Sequence, residues 1–332
     1  MSASPTTSGV SAVNPKRPDV PATPASPRSR RGRSRLREAS VPWAFAAPAI
    51  IFFVAFMVLP IIYALWLSFR GYRVEGGGAF GRRVETFIGV DNYVAALTDA
   101  EFLAGLGRVL AYGAIAIPSV LGLALLFALL LDTPRVRLQG FARTAIFVPY
   151  AIPGVIASLL WGFLYLPSTS PANFLVRQLG AGPLDFFSPP VLFFSLANIA
   201  LWSGVGFNMI IIYTSLRAVP TEIYEAARID GASELQIALR IKVPLVTPAL
   251  VLTGLFSVIG TLQLYSEPAT LRPMTTTISS TWVPLMKIYQ EAFMNDNLGG
   301  AAAASVLLAA AILIFSLVLL RFFQRKTFGA AS

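Results

Sequence analysis

The side chains that most often perform covalent chemistry in proteins are absent from this sequence or lack the neighbours they need. There is no cysteine and no histidine, which removes thiolate nucleophiles, the Ser-His-Asp relay and imidazole or thiolate metal ligands. None of the four lysines follows a glycine, so a phosphate-binding loop of the Gly-Lys type is excluded. Carboxylate chemistry remains possible, but we predict neither a catalytic residue nor a metal site in this chain.

The segment at residues 220–248 has the spacing of two short helices joined at a glycine. Pro220 can open the first helix, and Gly231 suits the left-handed conformation that ends one. Ser233, with Gln236 three residues later, matches a capping box for the second helix. Small and charged side chains along the segment would allow close contact with another protein: Glu225, Ala226, Ala227, Asp230 and Ala232.

An alternative for this segment is an amphipathic helix lying on the bilayer surface, which typically presents one basic face. Acidic and basic residues instead alternate here: Glu225, Arg228, Asp230, Glu234, Arg240 and Lys242. The charge pattern therefore favours a protein-binding element.

Two apolar stretches carry polar and aromatic side chains at helical spacing. Ser257, Thr261 and Tyr265 follow one another at intervals of four and so share one face of a helix. Hydroxyl, amide and aromatic groups are suited to polyhydroxylated ligands such as sugars, although small and hydroxyl-bearing residues also pack helices together in membranes. Gln263 and Glu267 are weaker candidates, with Glu267 expected at the outer boundary. The preceding stretch adds three more candidates: Gly204, Phe207 and Asn208.

The elements that must position these residues are apolar enough to cross a membrane. Hydrophobic residues make up 55% of the 332 residues and charged residues 13%, whereas soluble domains carry about 25% charged residues. Six charge-free runs reach the length of about 20 residues that a spanning helix needs. We therefore predict an all-α, polytopic membrane protein with six transmembrane helices. The predicted spans are about 43–69, 106–131, 144–166, 189–216, 244–266 and 298–321.

The distribution of basic residues predicts that both termini are cytoplasmic. This orientation places 18 of the 26 Lys and Arg residues on the inside, as the positive-inside rule requires. The tail at residues 1–38 is rich in Pro, Ser, Ala and Arg and is predicted to be disordered. Its arginines could serve a nucleic-acid-binding arm, but a basic flank before a span explains them better. We expect contact with membrane lipids and with no nucleic acid.

Segment 220–248 resembles the EAA motif of ABC importer permeases. Its motif elements occur in the family's order: Glu225-Ala226-Ala227, Asp230-Gly231-Ala232, Pro244 and Pro248. Two further stretches resemble the sugar-permease branch of the maltose and glycerol-phosphate type: Leu201-Trp202-Ser203-Gly204 and Gly89-Val90-Asp91-Asn92-Tyr93. The resemblance covers residues from about 43 to 323. The chain departs from it at residues 263–268, where many sugar permeases have an Asp and a glycine-rich turn.

The resemblance implies a transmembrane permease domain at residues 41–323, with a coupling loop at 220–243 and a cytoplasmic C-terminus at 324–332. In that family the loop sits in a groove of an ATPase subunit. Glu225 would then be the charged contact, Ala226 and Ala227 would allow close approach, and Gly231 would form the joint. Asp230 would either cap the helix or make a charged contact. Substrate contacts in the maltose-type family come from the fourth and fifth spans, at places corresponding to the candidates above.

The same resemblance implies the partners and the location of the chain. The partners would be a second permease chain in a heterodimer, a cytoplasmic ATPase dimer and an extracytoplasmic sugar-binding protein. This chain would bind no cofactor, because ATP and Mg would lie on the ATPase subunits. Its place would be the cytoplasmic (inner) membrane of a prokaryote, and its substrate a di- or oligosaccharide. Two alternatives remain: an ion-coupled secondary transporter, which charge-free spans disfavour, and a membrane docking scaffold.

Overall fold

The computed structural model describes residues 43, 45–75, 82–133 and 137–328, and these are almost entirely helical. The predicted tail at 1–38 lies outside the described residues. The first half contains helix α1 (Phe45–Leu67), strands β1 (Arg70–Glu75) and β2 (Arg82–Phe87), and helices α2 (Asp91–Thr98), α3 (Ala100–Leu131), α4 (Gln139–Ala151), α5 (Gly154–Tyr165), α6 (Pro171–Gln178) and α7 (Pro189–Arg217). The second half contains α8 (Thr221–Ile229), α9 (Glu234–Leu245), α10 (Thr247–Leu262), α11 (Ser266–Leu271), α12 (Pro284–Phe293) and α13 (Leu298–Phe328).

Four of these helices are long and apolar enough to cross a membrane unbroken, namely α1, α3, α7 and α13. Two bent pairs, α4 with α5 and α9 with α10, also qualify when each pair is counted as one span. The number of spans among the described residues is therefore four, or six if each bent pair crosses the membrane. The predicted all-α polytopic fold is confirmed.

Prolines mark both bends. The α4–α5 pair turns by 96°, and Pro149 and Pro153 flank the extended residue Ile152 at the turn. The α9–α10 pair turns by 65° between Pro244 and Pro248. A proline has no N–H to donate and its ring clashes with the preceding turn, so a helix breaks or kinks there.

Contacts within the chain divide it into Met1–Pro60 and Ile61–Ser332, which we describe separately. In the first unit, the described part of α1 exposes its aromatic side chains, with Phe45 84% and Phe56 75% exposed. The rings of Phe52 and Phe56 stack with centroids 6.0 Å apart. An apolar surface of this kind suits a lipid environment.

In the second unit, α3 and α7 pack against each other along one buried face. Ala124 and Ala128 of α3 are fully buried in the same cluster as Met209 and Ile212 of α7. Lipid tails are as apolar as these side chains, so close van der Waals packing holds such helices together, and small residues permit the close approach.

The hairpin of β1 and β2 is tied to its surroundings through α2. Its strands pair antiparallel, with Tyr72 opposite Glu85. Asn92 Nδ2 donates to the carbonyls of Ser68 and Arg70 at 2.9 and 2.8 Å, and the Tyr93 and Ser68 hydroxyls lie 2.6 Å apart. These contacts give a structural role to Asn92 and Tyr93 of the Gly89–Tyr93 run noted in the sequence.

Candidate functional site

Helices α8 and α9 form the helix–glycine–helix arrangement predicted for residues 220–243, hereafter the α8–α9 segment. Gly231 joins them at φ +82°, a conformation that a glycine adopts without strain. The capping box is also present: Ser233 N–H donates to Gln236 Oε1 at 2.8 Å, and Gln236 N–H donates to Ser233 Oγ at 3.3 Å. The joint is therefore fixed by local hydrogen bonds.

The predicted contact residues lie on the outer side of this segment. Ala227 and Ala232 are half-buried, whereas four others are exposed: Glu225, Ala226, Asp230 and Gly231. Large apolar side chains share this exposure, with Ile229 87%, Leu235 68% and Leu239 58% exposed. An exposed apolar patch of this kind marks an interaction surface.

The inner side of the segment is anchored by a buried ion pair. Lys242 Nζ lies 2.5 Å from Asp132 Oδ2, and their side chains are only 8% and 5% exposed. Lys242 Nζ also lies 4.8 Å from the centroid of the Tyr224 ring. Because Asp132 caps the C-terminal end of α3, this cluster connects α8, α9 and α3.

The pKa of Tyr224 reflects the buried and charged environment of this cluster. Burial raises the pKa of its hydroxyl above the ordinary value, and the negative charge of Asp132 raises it further. The hydroxyl oxygen is buried and has no hydrogen-bond partner among the described residues. Sequence reasoning treated Lys242 only as one of several alternating charges, because its partner lies 110 residues away in the chain.

A cavity of about 550 Å³ opens between α7 and α10, with further walls from α3, α4, α5 and α11. We refer to it as the α7–α10 cavity. The structure brings all six predicted pathway residues to its lining: Gly204, Phe207, Asn208, Ser257, Thr261 and Tyr265.

The lining combines aromatic surfaces with free polar groups. Phe207 and Tyr150 stack with ring centroids 4.7 Å apart. Asn208 Nδ2 donates to the Gly204 carbonyl at 2.8 Å, while Asn208 Oδ1 is buried without a partner among the described residues. Ring faces bind apolar surfaces, and the hydroxyl-bearing residues of the lining can donate and accept hydrogen bonds. The lining therefore offers both kinds of contact to a polyhydroxylated molecule.

Sequence reasoning missed three aromatic residues of the lining and ranked its carboxylate too low. Tyr112 of α3, Tyr150 of α4 and Phe256 of α10 all line the cavity. Glu267, a weaker candidate, and its neighbour Gln263 line it as well. Burial raises the pKa of the Glu267 carboxyl above its ordinary value; this residue lies in α11, beyond the end of α10. No local pattern relates these positions to the cavity, because Tyr112 and Tyr150 lie on helices other than α7 and α10 and Glu267 lies beyond the end of α10.

The described residues contain no group of three or more His, Cys, Asp or Glu side chains that could hold a metal ion. The lining of the α7–α10 cavity offers hydrogen-bonding groups and aromatic rings to a bound molecule. No combination of nucleophile and base was predicted from the sequence.

Comparison with known proteins gives a consistent assignment. The family model described as "Binding-protein-dependent transport system inner membrane component" matches residues 103–329. The osmoprotective compounds uptake permease protein GgtC of Synechocystis is 32% identical over 228 residues, which cover 67% of this chain and 77% of that protein. The sn-glycerol-3-phosphate transport system permease protein UgpA of Salmonella typhimurium is 26% identical over 298 residues, which cover 89% and 97% of the two chains.

Solved structures agree on the fold. A chain of a bacterial ABC transporter involved in the import of the acidic polysaccharide alginate superposes with a TM-score of 0.76 at 22% sequence identity. The match covers 90% of this chain and 99% of that one. With the family model matching most of the described helices, the chain belongs to the family of binding-protein-dependent transport system inner membrane components.

Proposed function

We propose that this chain is the permease subunit of an ATP-driven ABC importer for a carbohydrate. The substrate is a di- or oligosaccharide. The chain forms half of the translocation pathway together with a second permease chain, as a heterodimer. A cytoplasmic ATPase dimer, which binds ATP and Mg, supplies the energy, and an extracytoplasmic sugar-binding protein delivers the cargo. UgpA and GgtC are named as uptake or transport permeases, and one solved relative of this fold was captured with a substrate-loaded periplasmic protein.

The chain is oriented with both termini in the cytoplasm. The permease domain occupies residues 41–323, between the tail at 1–38 and the C-terminus at 324–332. The α8–α9 segment then projects into the cytoplasm and docks on the ATPase. Glu225 makes the charged contact, Ala226 and Ala227 allow close approach, and Gly231 holds the joint.

Movement of the ATPase pair reaches the spans through the base of the α8–α9 segment. The ion pair of Lys242 and Asp132 connects that base to α3 and to the bent α9–α10 span. When the two ATPase subunits close, the segment is displaced, and the helices around the α7–α10 cavity reorient. Cargo hydroxyls bind Asn208, Ser257, Thr261 and Tyr265 without any covalent step.

The observation that carries the proposal is the exposed α8–α9 segment with apolar residues such as Ile229 and Leu235 on its surface. A docking partner explains why these side chains face outward on a segment whose opposite side is anchored by buried charges. The segment's position between the fourth and fifth spans supports the same conclusion.

The test is co-purification of the full complex from mildly solubilised membranes. Wild type should retain the ATPase and the second permease chain. The double variant Glu225→Lys with Gly231→Val should lose the ATPase and keep the second permease, since the first change reverses the docking charge and the second disfavours the left-handed joint. Asp91→Lys, an equally exposed carboxylate near the other end of α3, is the matched control and should retain both partners.

Uptake of sugars completes the test. ATP-dependent uptake from a panel of di- and oligosaccharides should disappear in the double variant and persist in Asp91→Lys. Equal retention of the ATPase by wild type and double variant would contradict the docking role. Uptake that persists without any ATPase would instead indicate a secondary transporter.

One observation favours that secondary transporter, namely the carboxylate of Glu267 in the cavity. Buried carboxylates serve as proton carriers in many ion-coupled transporters. A proton-coupled mechanism predicts uptake driven by an imposed pH gradient, abolished in Glu267→Gln and independent of ATP. The importer predicts no uptake under that gradient alone.

A further inference from the structure

Among the described residues that line the α7–α10 cavity, Glu267 is the one charged side chain. The other lining residues are aromatic, hydroxyl-bearing, amide-bearing, aliphatic or small. No Lys or Arg of the described residues forms an ion pair with the Glu267 carboxylate. The lining contributed by the described part of the chain therefore contains one acidic side chain and no basic side chain.

The carboxylate lies close to the first residue of α5. A Cβ atom built on Gly154 would lie 3.8 Å from Glu267 Oε1. Gly154 is the first residue of α5, directly after the 96° bend, and it lines the cavity too. Since glycine has no side chain, nothing from this position covers the carboxylate on that side.

A single carboxylate in such a cavity discriminates by charge. Low-dielectric walls focus its field into the cavity, which raises the energy of an anion there. Carboxylates and phosphates are bound in proteins chiefly by Arg and Lys, which this lining lacks. Sugar hydroxyls, in contrast, donate hydrogen bonds to a charged acceptor, and these are stronger than bonds between neutral groups.

We propose that Glu267 is a specificity-determining residue that favours uncharged and cationic polyhydroxylated cargo over anionic cargo. This inference rests on the proposed import function, because it names the class of cargo for the same cavity. This preference would distinguish the chain from relatives whose names include an anionic cargo, namely glycerol phosphate and alginate.

The absence of cysteine from the chain allows a test that needs no knowledge of the sugar. Single thiols are placed in the cavity by Ser257→Cys and, independently, by Gly260→Cys, where an added side chain meets no atom within 4 Å. Gly182→Cys, an exposed position with equally open space, gives the reference. Each variant is assembled in the full complex and treated with trimethylammonioethyl and sulfonatoethyl methanethiosulfonate, with the cysteine-free chain as background. Labelling is measured over a range of pH, because burial raises the pKa of the Glu267 carboxyl and higher pH favours its ionised form.

The measured quantity is the ratio of the cationic to the anionic labelling rate. In the cavity it should exceed the reference ratio by roughly tenfold, since one charge acts on two reagents of opposite sign. Glu267→Gln should bring the ratio close to the reference. Glu291→Gln should leave it unchanged, because Glu291 binds Asn295 and Asn297 and does not line the cavity. A cavity ratio equal to the reference, or one unaffected by Glu267→Gln, overturns the proposal.

Transport then separates this inference from the function on which it rests. A matched neutral and acidic disaccharide pair, cellobiose with cellobiuronic acid, is offered to proteoliposomes containing the full complex. The anionic-to-neutral uptake ratio should rise roughly fivefold in Glu267→Gln. Uptake with the same ratio in both proteins overturns the charge selectivity and leaves the importer standing. Labelling that responds to Glu267 without uptake of any sugar supports the charge selectivity and contradicts carbohydrate import.

Discussion

At the scale of single residues, the contact between Lys242 and Asp132 is the most consequential in the part of the chain that the structure describes. Two opposite charges at 2.5 Å, each less than a tenth exposed, have lost most of their hydration. Their attraction in this environment compensates for that loss only while both are present. Removing one charge leaves the other buried and unpaired.

We therefore predict that Lys242→Met or Asp132→Leu alone destabilises the purified complex by about 3–5 kcal/mol. The double variant should lose much less than the sum, because two apolar side chains of similar size leave no buried charge. Thermal or denaturant unfolding of the detergent-solubilised complex measures this double-mutant cycle.

Glu85→Gln is the control for this cycle. It removes the partner of Arg70 from a pair whose side chains are 28% and 40% exposed, and such pairs contribute about 0–1 kcal/mol. Additive effects of the two single variants would show that the residues do not act as a pair.

The six predicted pathway residues illustrate what sequence can supply at this scale. Helical spacing alone puts Ser257, Thr261 and Tyr265 on one face, and the structure brings all three to the α7–α10 cavity. Their role in binding cargo stays a prediction. The pairing of Lys242 with Asp132 could not be predicted from the sequence, because no local pattern relates residues on separate helices.

At the scale of elements, the contact of α7 with α4 depends on one glycine. A Cβ atom on Gly206 would overlap the carbonyl oxygen of Ile146 and lie 2.6 Å from the Phe147 Cα atom. Both are backbone atoms, so no side-chain rotation could relieve the clash. The two helices can approach this closely only because residue 206 has no side chain.

Gly206→Ala should consequently destabilise the complex by about 1–3 kcal/mol, the range typical of overpacking. The apparent melting temperature of the detergent-solubilised complex is the measurement. The Gly206→Ala substitution should also disturb the stacking of the Tyr150 and Phe207 rings, because α4 and α7 would be pushed apart.

Gly122→Ala on α3 is the matched control, since an added Cβ there meets no atom within 4 Å. This variant should be neutral or slightly stabilising, because alanine favours a helix over glycine. If both alanine variants behave alike, the close approach of α7 and α4 does not limit stability.

The bends within the helix pairs could be predicted from the sequence only in part. The prolines at both breaks were visible in the sequence, but the angles of 96° and 65° were not. These angles depend on the neighbouring helices, and the 96° bend lies close to Tyr150, which lines the cavity. The hairpin of β1 and β2 was also missed, because its strands carry no run of alternating apolar residues.

At the scale of the whole molecule, the orientation in the membrane is open to direct measurement. The positive-inside rule predicts that Gly140, at the N-terminal end of α4, is cytoplasmic and that Gly182, in the loop before α7, lies on the other side. Both glycines are exposed, and an added side chain meets no atom within 4 Å at either. A thiol can thus be introduced at each with little disturbance.

A membrane-impermeant thiol reagent should label Gly182→Cys in right-side-out vesicles and Gly140→Cys only after the membrane is opened. The cysteine-free wild-type chain is the background. The reverse pattern would invert the assigned topology and place the α8–α9 segment on the side opposite any cytoplasmic ATPase.

Polytopic architecture was predictable because the number of consecutive apolar residues needed to cross a bilayer is a one-dimensional property. Runs of adequate length in the sequence became α1, α3, α7, α13 and the two bent pairs. Whether each bent pair crosses fully is not encoded in run length. It depends on how neighbouring helices satisfy the backbone groups freed at the bend.

The bend between α9 and α10 gives this span a hinge. Pro244 and Pro248 have no N–H to donate, while Val246 N–H donates to the Lys242 carbonyl and Leu250 N–H donates to the Val246 carbonyl. A change of the 65° angle therefore has fewer backbone hydrogen bonds to break here than in an unbroken helix. Such a change would alter the angle between the α8–α9 segment and the part of α10 that carries Ser257 and Thr261.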